Sequence, residues 1–457
     1  MTIPISRALR IETSTRLAFV GAGGKTGLMF QLAHELPGPV FITATTHLST
    51  AQITQADRHF SIDTPEDIPV SRQKLSAGIN LFTGPVTEPE RTSGLKPASL
   101  ERLLSLANRL DVPLLIEADG SRRLPLKAPA SHEPPIPDFV DTVVVVAGLS
   151  GLGKPLTSDW VHRPELFSEL SGAMIGDPVT PEKLMRAILH PDGGMKNIPM
   201  GSRRVVVLNQ VDTPEMLTTA QEMAGKPYSN QDGLLTDFHA VLACKNGTAE
   251  AVYEPVAGII LAGGEARRWR EKGGTQPKQV FHVGGKPLVR RAAELALAAG
   301  LSPVIVVTGA IADEIGRAVD GLPVTLVNNS DWSQGMSTSM KTGLRAVPEE
   351  TQAVVFLLAD QPFIPVEVIR GLVEIHAKHL AQLAAPTVLG KRTNPTLFDR
   401  SLFPELHKIT GDEGGRSLFR SDSTYTPQWL EWKDASVFAD IDTFEDFEKL
   451  SRNHKDP

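Results

Sequence analysis

Nine short runs in this chain are apolar almost without interruption, and they limit what it can fold into. RLAFV (16–20), PVFITA (39–44), VPLLIEA (112–118), TVVVVAG (142–148) and RRVVVLN (203–209) come first, and VAGIILAG (256–263), PVIVVTG (303–309), PVTLVN (323–328) and AVVFLLAD (353–360) follow. A strand with one wet face alternates apolar and polar residues. A run without alternation belongs to a strand buried on both faces, as in a parallel sheet covered by helices. KTGLMFQLAHEL (25–36) and PLVRRAAELALAAG (287–300), between such runs, have helical spacing. Strand, helix, strand in that order predicts an α/β fold with right-handed crossovers.

At 457 residues the chain exceeds one ordinary core, so two domains are expected. The stretch CKNGTAEAVYEPVAG is polar and rich in turn formers, and a new strand–helix series starts after it. It sets expected domains of 1–250 and 256–457. Residues 83–98, TGPVTEPERTSGLKPA, read as a mobile loop or a connection over the surface.

Composition removes several classes of function. A net charge of −7 argues against a broad basic surface for nucleic acid. Cys244 is the sole cysteine, which leaves no internal disulfide or cysteine-rich zinc site and favours a reducing compartment. No apolar run approaches the ~20 residues that span a bilayer. The opening MTIPISRALR has no apolar signal core. The expectation is a cytoplasmic enzyme with neither a nucleic-acid nor a membrane partner.

Two strand-to-helix turns are rich in glycine. In GIILAGGEARRW, Leu261 and Ala262 lead into Gly263 and Gly264, with Arg267 and Arg268 next and Lys278 further on in TQPKQV. Without Cβ atoms, the glycines let backbone N–H groups approach a phosphate, and the cations could hold it. Alone, the same residues would serve as a plain turn. AVVFLLADQPF ends a strand in Asp360, where an open α/β sheet binds its ligands, and the carboxylate suits Mg²⁺ there. DWSQGMSTSMKTGL sets Gly335 and Ser337, with Thr338 and Ser339, at a helix start where hydroxyls and N–H groups could bind nucleotide or could merely cap. GDEGGRSLF holds Asp412 and Arg416 among glycines, as candidates for the acceptor substrate. ADIDTFEDF offers Asp440 and Asp442 as further metal contacts or as solvated loop acids.

In FVGAGGKTGL, Gly21, Gly23 and Gly24 precede Lys25 and Thr26. This reads as a shortened phosphate loop, since Phe19 stands where the full pattern requires a glycine, or as a simple glycine-rich helix start. Gly23, Gly24, Lys25 and Thr26 are its candidate nucleotide contacts, with the Thr26 hydroxyl for Mg²⁺. Glu117 and Asp119 follow a strand, where they could organise a metal or form an Asp-Gly turn, and Arg122, Arg123 and Lys127 make that loop cationic. LNQVD (208–212) fits a short base-reading pattern that also arises by chance. His162 receives no role.

Taken in order, LAGGEARRW, PKQVFHVGGKPL, VIVVTG, NNSDWSQGMSTSMKTGL, LLADQPF, NPTLFDRSLFPEL, TGDEGGRSL and DIDTFEDF resemble the MobA-like nucleotidyltransferase superfamily, in its molybdenum cofactor cytidylyltransferase branch. The resemblance spans about 255–450. It implies a doubly wound, Rossmann-like domain in which the glycine loop, Arg268 and Lys278 grip the triphosphate. Asp360 would hold Mg²⁺ with help from Asp440 or Asp442. It also implies CMP transfer from CTP to the molybdopterin form of the molybdenum cofactor, with release of pyrophosphate. LAGG and PKQ are shared with guanylyl- and sugar-cytidylyl-transferring relatives, so CTP and GTP both stay open, as does another phosphorylated small molecule as acceptor.

The N-terminal half, over about 10–215, resembles the YqeC-like accessory proteins of selenium-dependent molybdenum hydroxylases. GAGGKT, TATTHL, EADGSRRLPLKAPASHEPPIP, GLSGLGKPL and VHRPELF carry that likeness. Both halves thus imply maturation of a molybdenum hydroxylase, whose apo-protein would be a partner. A carrier or chaperone role for the chain is the non-enzymatic alternative.

Overall fold

Every one of the nine runs is a strand in the computed structural model, which describes residues 2–88, 90–225, 233–264, 267–271, 276–420 and 423–446, with the backbone alone for Arg72, Arg267 and Arg268. The chain makes two units, the first ending at Tyr253 and the second opening at Glu254.

The first unit is built on a ten-stranded sheet. In chain order its strands are β1 (Ile3–Pro4), β2 (Arg16–Gly21), β3 (Val40–Ala44), β4 (Arg58–Ser61), β5 (Ile79–Thr83), β6 (Leu114–Glu117), β7 (Thr142–Gly148), β8 (Arg203–Asn209), β9 (Ala240–Lys245) and β10 (Thr248–Tyr253). Across the sheet they run β1-β10-β9-β8-β7-β2-β6-β3-β5-β4. All pairings from β9 to β4 are parallel, while β10 is antiparallel to both β9 and β1. Every residue of β7 is buried. Its four consecutive valines, Val143 to Val146, each contribute roughly 1.5–3 kcal/mol on burial.

β2 lies between β6 and β7, so the chain turns to opposite sides of β2 as it builds the sheet. Their carboxyl ends therefore leave a crevice, the usual ligand position of such sheets. The helix Lys25–Glu35 starts there.

The polar stretch at the expected boundary contains β10, which turns back on β9 through Asn246 and Gly247 and ends at Tyr253. Residues 83–98, read as a mobile loop or a surface connection, hold the short strands Val86–Glu88 and Arg91–Thr92. They pair with each other, and Arg91–Thr92 also pairs with Leu48–Ser49 in a small sheet.

The second unit has an eight-stranded sheet. Its strands are β11 (Val256–Leu261), β12 (Val304–Thr308), β13 (Val324–Asn328), β14 (Ala353–Leu358), β15 (Leu383–Val388), β16 (Lys391–Arg392), β17 (Thr396–Asp399) and β18 (Gln428–Glu431). The order is β13-β12-β11-β14-β17-β15-β16, with β18 on β15. Successive strands run outward from β11 to β13, and then β14 takes the other side of β11. The sequence order reverses at the β11–β14 pair, whose ends, Leu261 and Leu358, lie in register. Separate apolar clusters include one around Val289, Ile260 and Leu372 and another around Ile259, Met340 and Phe398. The fold is α/β, with a doubly wound second unit.

Candidate active site

A cleft of about 500 Å³ opens at the β11–β14 switch point. Leu261, Gly263, Gly264, Lys278, Gly335, Asp360 and Asp412 all line it, so the fold gathers residues from five separate motifs. Ala262 is buried beneath it, 1% exposed. At Gly263 a Cβ would sit 3.0 Å from Ser339 Oγ and 3.4 Å from the Thr308 carbonyl, so a side chain would crowd this crossing. Gly264 is different, because a Cβ there meets no protein atom within 4 Å and would point into open space.

The charged floor of the cleft is built around Lys278. It opens the short turn Lys278–Val280 and is 7% exposed. Its Nζ donates to Asp360 Oδ2 at 2.8 Å and to Asp442 Oδ1 at 2.8 Å. Burial would lower the lysine's pKa, but the two carboxylates outweigh it and raise it. Asp360 lies two residues past β14, and its carbonyl accepts the Ile441 N–H at 3.0 Å, which ties the late acidic segment to the strand end. Its Oδ1 is buried without a hydrogen-bond partner. Asp440 reaches solvent, yet desolvation and the like charges of Asp360 and Asp442 push its carboxyl up to about 6.

The remaining expected contacts fare unevenly. Arg268 falls in the helix Arg267–Glu271, but its side chain lies outside the described residues. Its neighbour Trp269 is buried and donates from Nε1 to the Gln276 carbonyl at 2.8 Å. Gly335 has φ 113° and precedes the helix Met336–Arg345. The helix start expected to offer free donors is already occupied. Met336 N–H donates to Asp412 Oδ1 at 2.9 Å, and Ser337 N–H to the Gly411 carbonyl at 3.0 Å. Asp412 is thus a cap as well as part of the cleft wall. Thr338 and Ser339 hydroxyls both accept from Asn329 Nδ2 at 2.9 Å, which is structural work. Arg416 is exposed and beside Arg392, and it is not among the residues lining the cleft.

Sequence reasoning passed over Gln279, whose Nε2 donates to the Gly264 carbonyl and fixes the glycine turn. It also passed over Trp332 and Ser333 in the cleft wall. Gln279 was within reach, since it follows Lys278 directly.

In the first unit, the glycine loop after β2 is braced from three sides. Gly21 N–H donates to Asp119 Oδ2 at 3.0 Å, Ala22 N–H to the Val146 carbonyl at 2.8 Å and Gly23 N–H to the Leu124 carbonyl at 3.1 Å. A Cβ on Gly23 would come within 2.3 Å of the Gly148 nitrogen, so only glycine fits. Lys25 Nζ folds back to the Gly21 carbonyl at 2.7 Å and lies 3.1 Å from Asp119 Oδ1. Thr26, expected to face a metal, donates instead to Glu117 Oε2 at 2.7 Å. Burial raises the pKa of that carboxyl, against the pull of Lys25 and Thr26.

Asn209, from the base-reading pattern, donates to the Gly23 carbonyl at 2.7 Å and so buttresses the loop. From Asp119 an ion-pair chain runs through Lys127 (2.8 Å) and Glu133 (2.9 Å) to Arg163 (2.8 Å). Gly24, Lys25 and Thr26 open on a second, larger cleft of about 1520 Å³.

Among the described residues no group of three or more His, Cys, Asp or Glu side chains could hold a metal ion. Nor is any helix long and apolar enough to cross a membrane.

Residues 17–165 match the YqeC protein family, and residues 258–426 match the MobA-like NTP transferase domain. The chain belongs to both families, one in each half. The uncharacterized protein YqeC of Escherichia coli is 33% identical over 214 residues, covering 46% of this chain and 81% of that protein. The MobA-like half is 29% identical over 201 residues to nicotine blue oxidoreductase of Paenarthrobacter nicotinovorans, over 43% of this chain and 96% of the relative. It is 30% identical over 203 residues to the purine catabolism protein PucB of Bacillus subtilis, over 43% of this chain and 95% of the relative. The MobA-like half is a nucleotidyltransferase domain.

Proposed function

We propose that the MobA-like domain transfers CMP from CTP to the molybdopterin form of the molybdenum cofactor and releases pyrophosphate, in support of molybdenum hydroxylase maturation. The acceptor's phosphate oxygen attacks the α-phosphorus, a P–O bond forms there, and the bond to the β-phosphate breaks as pyrophosphate leaves. Such a transfer needs positioning and charge neutralisation more than a protein nucleophile. The reading is carried by one observation: Lys278 and Asp360 line one cleft with Gly263 and Gly264, and Lys278 is bonded both to Asp360 and to Asp442.

The donor set suits Mg²⁺. Mg²⁺ is commonly held by one or two carboxylates together with substrate phosphates. Asp360, with its orphaned buried Oδ1, and Asp442 or Asp440 would be those carboxylates. A bound ion would neutralise phosphate charge and fix the triphosphate's orientation. Lys278, released from one carboxylate, would reach a phosphate oxygen while its partners keep it protonated. Gly264 leaves open the space that a side chain would fill, and Gln279 fixes the loop behind it. Arg268 and Arg416 remain expected contacts for triphosphate and acceptor.

Gly23, Gly24, Lys25 and Thr26 would serve as a second phosphate loop in the YqeC domain, with Lys25 leaving the Gly21 carbonyl that it holds at 2.7 Å to meet a phosphate. Joining two such domains gives each the other's product at high effective concentration, which would also suit a carrier role toward a molybdenum hydroxylase.

The test is direct. The purified chain is mixed with molybdopterin cofactor and either Mg-CTP or Mg-GTP, and pyrophosphate and dinucleotide are measured. CTP-dependent pyrophosphate is expected. Pyrophosphate with GTP alone would reassign the base. Release with neither would favour the carrier role or redox chemistry of the kind one relative's name suggests, since hydride transfer liberates none.

A further inference from the structure

The YqeC-domain cleft is about 1520 Å³, against about 500 Å³ for the MobA-like one. It therefore has room for more than one nucleotide. Its loop from Ser121 to Leu124 is a tight turn closed by Leu124 N–H donating to the Ser121 carbonyl at 3.0 Å. The two central residues, Arg122 and Arg123, have φ of 52° and 63°. Turns with two left-handed centres are usually filled by glycine, asparagine or aspartate. A side chain in that region costs roughly 1–2 kcal/mol. The same turn accepts the Gly23 N–H through Leu124, so it is bolted to the phosphate loop. Two strained residues thus present adjacent guanidinium groups beside that loop.

Charge balance singles out the same pair. Lys25, Lys127 and Arg163 are matched within the cleft wall by Asp119 and Glu133. Glu117 is engaged by Thr26, Arg91 at the margin has Glu88 at 4.0 Å, and Glu90 and Glu165 line the same margin exposed, as Arg122 and Arg123 are. Among the described residues, Arg122 and Arg123 carry no ion pair or side-chain hydrogen bond, and both line the cleft. Uncompensated cations concentrated in a cleft of a protein with net charge −7 mark a place for an anion. Adjacent guanidinium forks match the several oxygens of a phosphate better than the two of a carboxylate.

We propose that Arg122 and Arg123 bind the phosphate group of a phosphorylated small molecule, a second ligand lying beside the nucleotide held at Gly23–Thr26. The nucleotide part rests on the reading given above, while the arginine site stands on its own geometry. His132 and His162 complete its wall. The burial of His162 and its cationic surroundings of Arg163, Lys127 and Arg122 keep the imidazole neutral, and hence able to accept a hydrogen bond from the ligand.

The experiment uses the full chain carrying Lys278→Ala, which removes the lysine that lines the other cleft. Phenyl phosphate, too bulky for the terminal phosphate position of a nucleotide, is followed by saturation-transfer NMR. Fluorescent mant-ADP and mant-GDP report the phosphate loop separately. Phenyl phosphate should bind whether or not the nucleotide is saturating. Arg122→Ala with Arg123→Ala should weaken it tenfold or more, with melting temperature and mant-nucleotide affinity unchanged. Arg122→Lys with Arg123→Lys should restore part of the affinity. Lys25→Ala should abolish mant-nucleotide binding and spare phenyl phosphate. Binding that is absent, that survives the double alanine variant, or that nucleotide displaces would overturn the proposal. If mant-nucleotides fail to bind while phenyl phosphate still depends on the arginines, the arginine site stands and only the nucleotide reading falls.

Discussion

Lys278 Nζ lies 2.8 Å from Asp360 Oδ2, although 82 residues separate them in sequence. A second carboxylate, Asp442, grips the same ammonium from 164 residues away. One cation held between two acids, at the end of a strand pair, leaves one carboxylate charge uncompensated.

Asp360→Asn keeps the side chain's shape and removes its charge. Losing a charged group that acts on the transition state costs on the order of 10²- to 10³-fold in turnover. Pyrophosphate release should fall by that much. The melting temperature should change little, because Asp442 retains Lys278. Near-normal turnover would remove Asp360 from the mechanism.

Asp412→Ala separates two roles for one carboxylate. Its Oδ1 caps the helix Met336–Arg345 through Met336 N–H, and loss of such a cap costs about 1 kcal/mol. A lower midpoint in urea unfolding is expected. If the acceptor's KM stays unchanged in the same variant, Asp412 is a scaffold residue, and the expected substrate contact is withdrawn.

Much of this arrangement could be read from the sequence, and what escaped did so for physical reasons. Uninterrupted runs such as TVVVVAG identify their strands because two-sided burial leaves no ambiguity of face. β10 was lost because its buried residues, Ala249, Ala251 and Val252, are interrupted by Glu250 and flanked by Thr248 and Tyr253, which reads as a polar stretch when only continuous runs are sought. The Asn246-Gly247 turn ahead of it was the available hairpin signal. In the site, strand-end position sufficed for Asp360 and the glycines. The commitment of Asn329 to Thr338 and Ser339, and of Asn209 to Gly23, depends on tertiary neighbours that no local pattern encodes.

Glu133 predicts an acid-sensitive first unit. Burial by itself would raise its carboxyl, but Arg163 and Lys127 outweigh burial and hold it at about 2, below the ordinary 4.5. Because the folded pKa is the lower one, its contribution to stability is fully present above pH 4.5 and is lost as pH falls toward 2. Glu133→Gln should lower the melting temperature at neutral pH. It should also flatten the decline between pH 4.5 and 2. Parallel wild-type and variant curves across that window would show that the ion-pair chain from Asp119 to Arg163 contributes nothing.

His162 reports the field of the arginine turn without any ligand being identified. Burial first, then Arg163, Lys127 and Arg122, push its pKa down to about 4 from 6.5. The depressed value means that the neutral imidazole is the folded form, so this residue's contribution to stability is present above pH 6.5 and drains away as pH falls toward 4. Removing one nearby cation by Arg122→Ala should raise the pKa read from the ring carbon and nitrogen shifts in NMR. Phenyl phosphate, by bringing in negative charge, should raise it in the wild type and much less in the Arg122→Ala, Arg123→Ala variant. The histidine would then distinguish a phosphate bound at the turn from one bound at Lys25, because Lys25 is not among the charges that set its titration. A His162 titration indifferent to both arginine and phosphate would place that anion elsewhere.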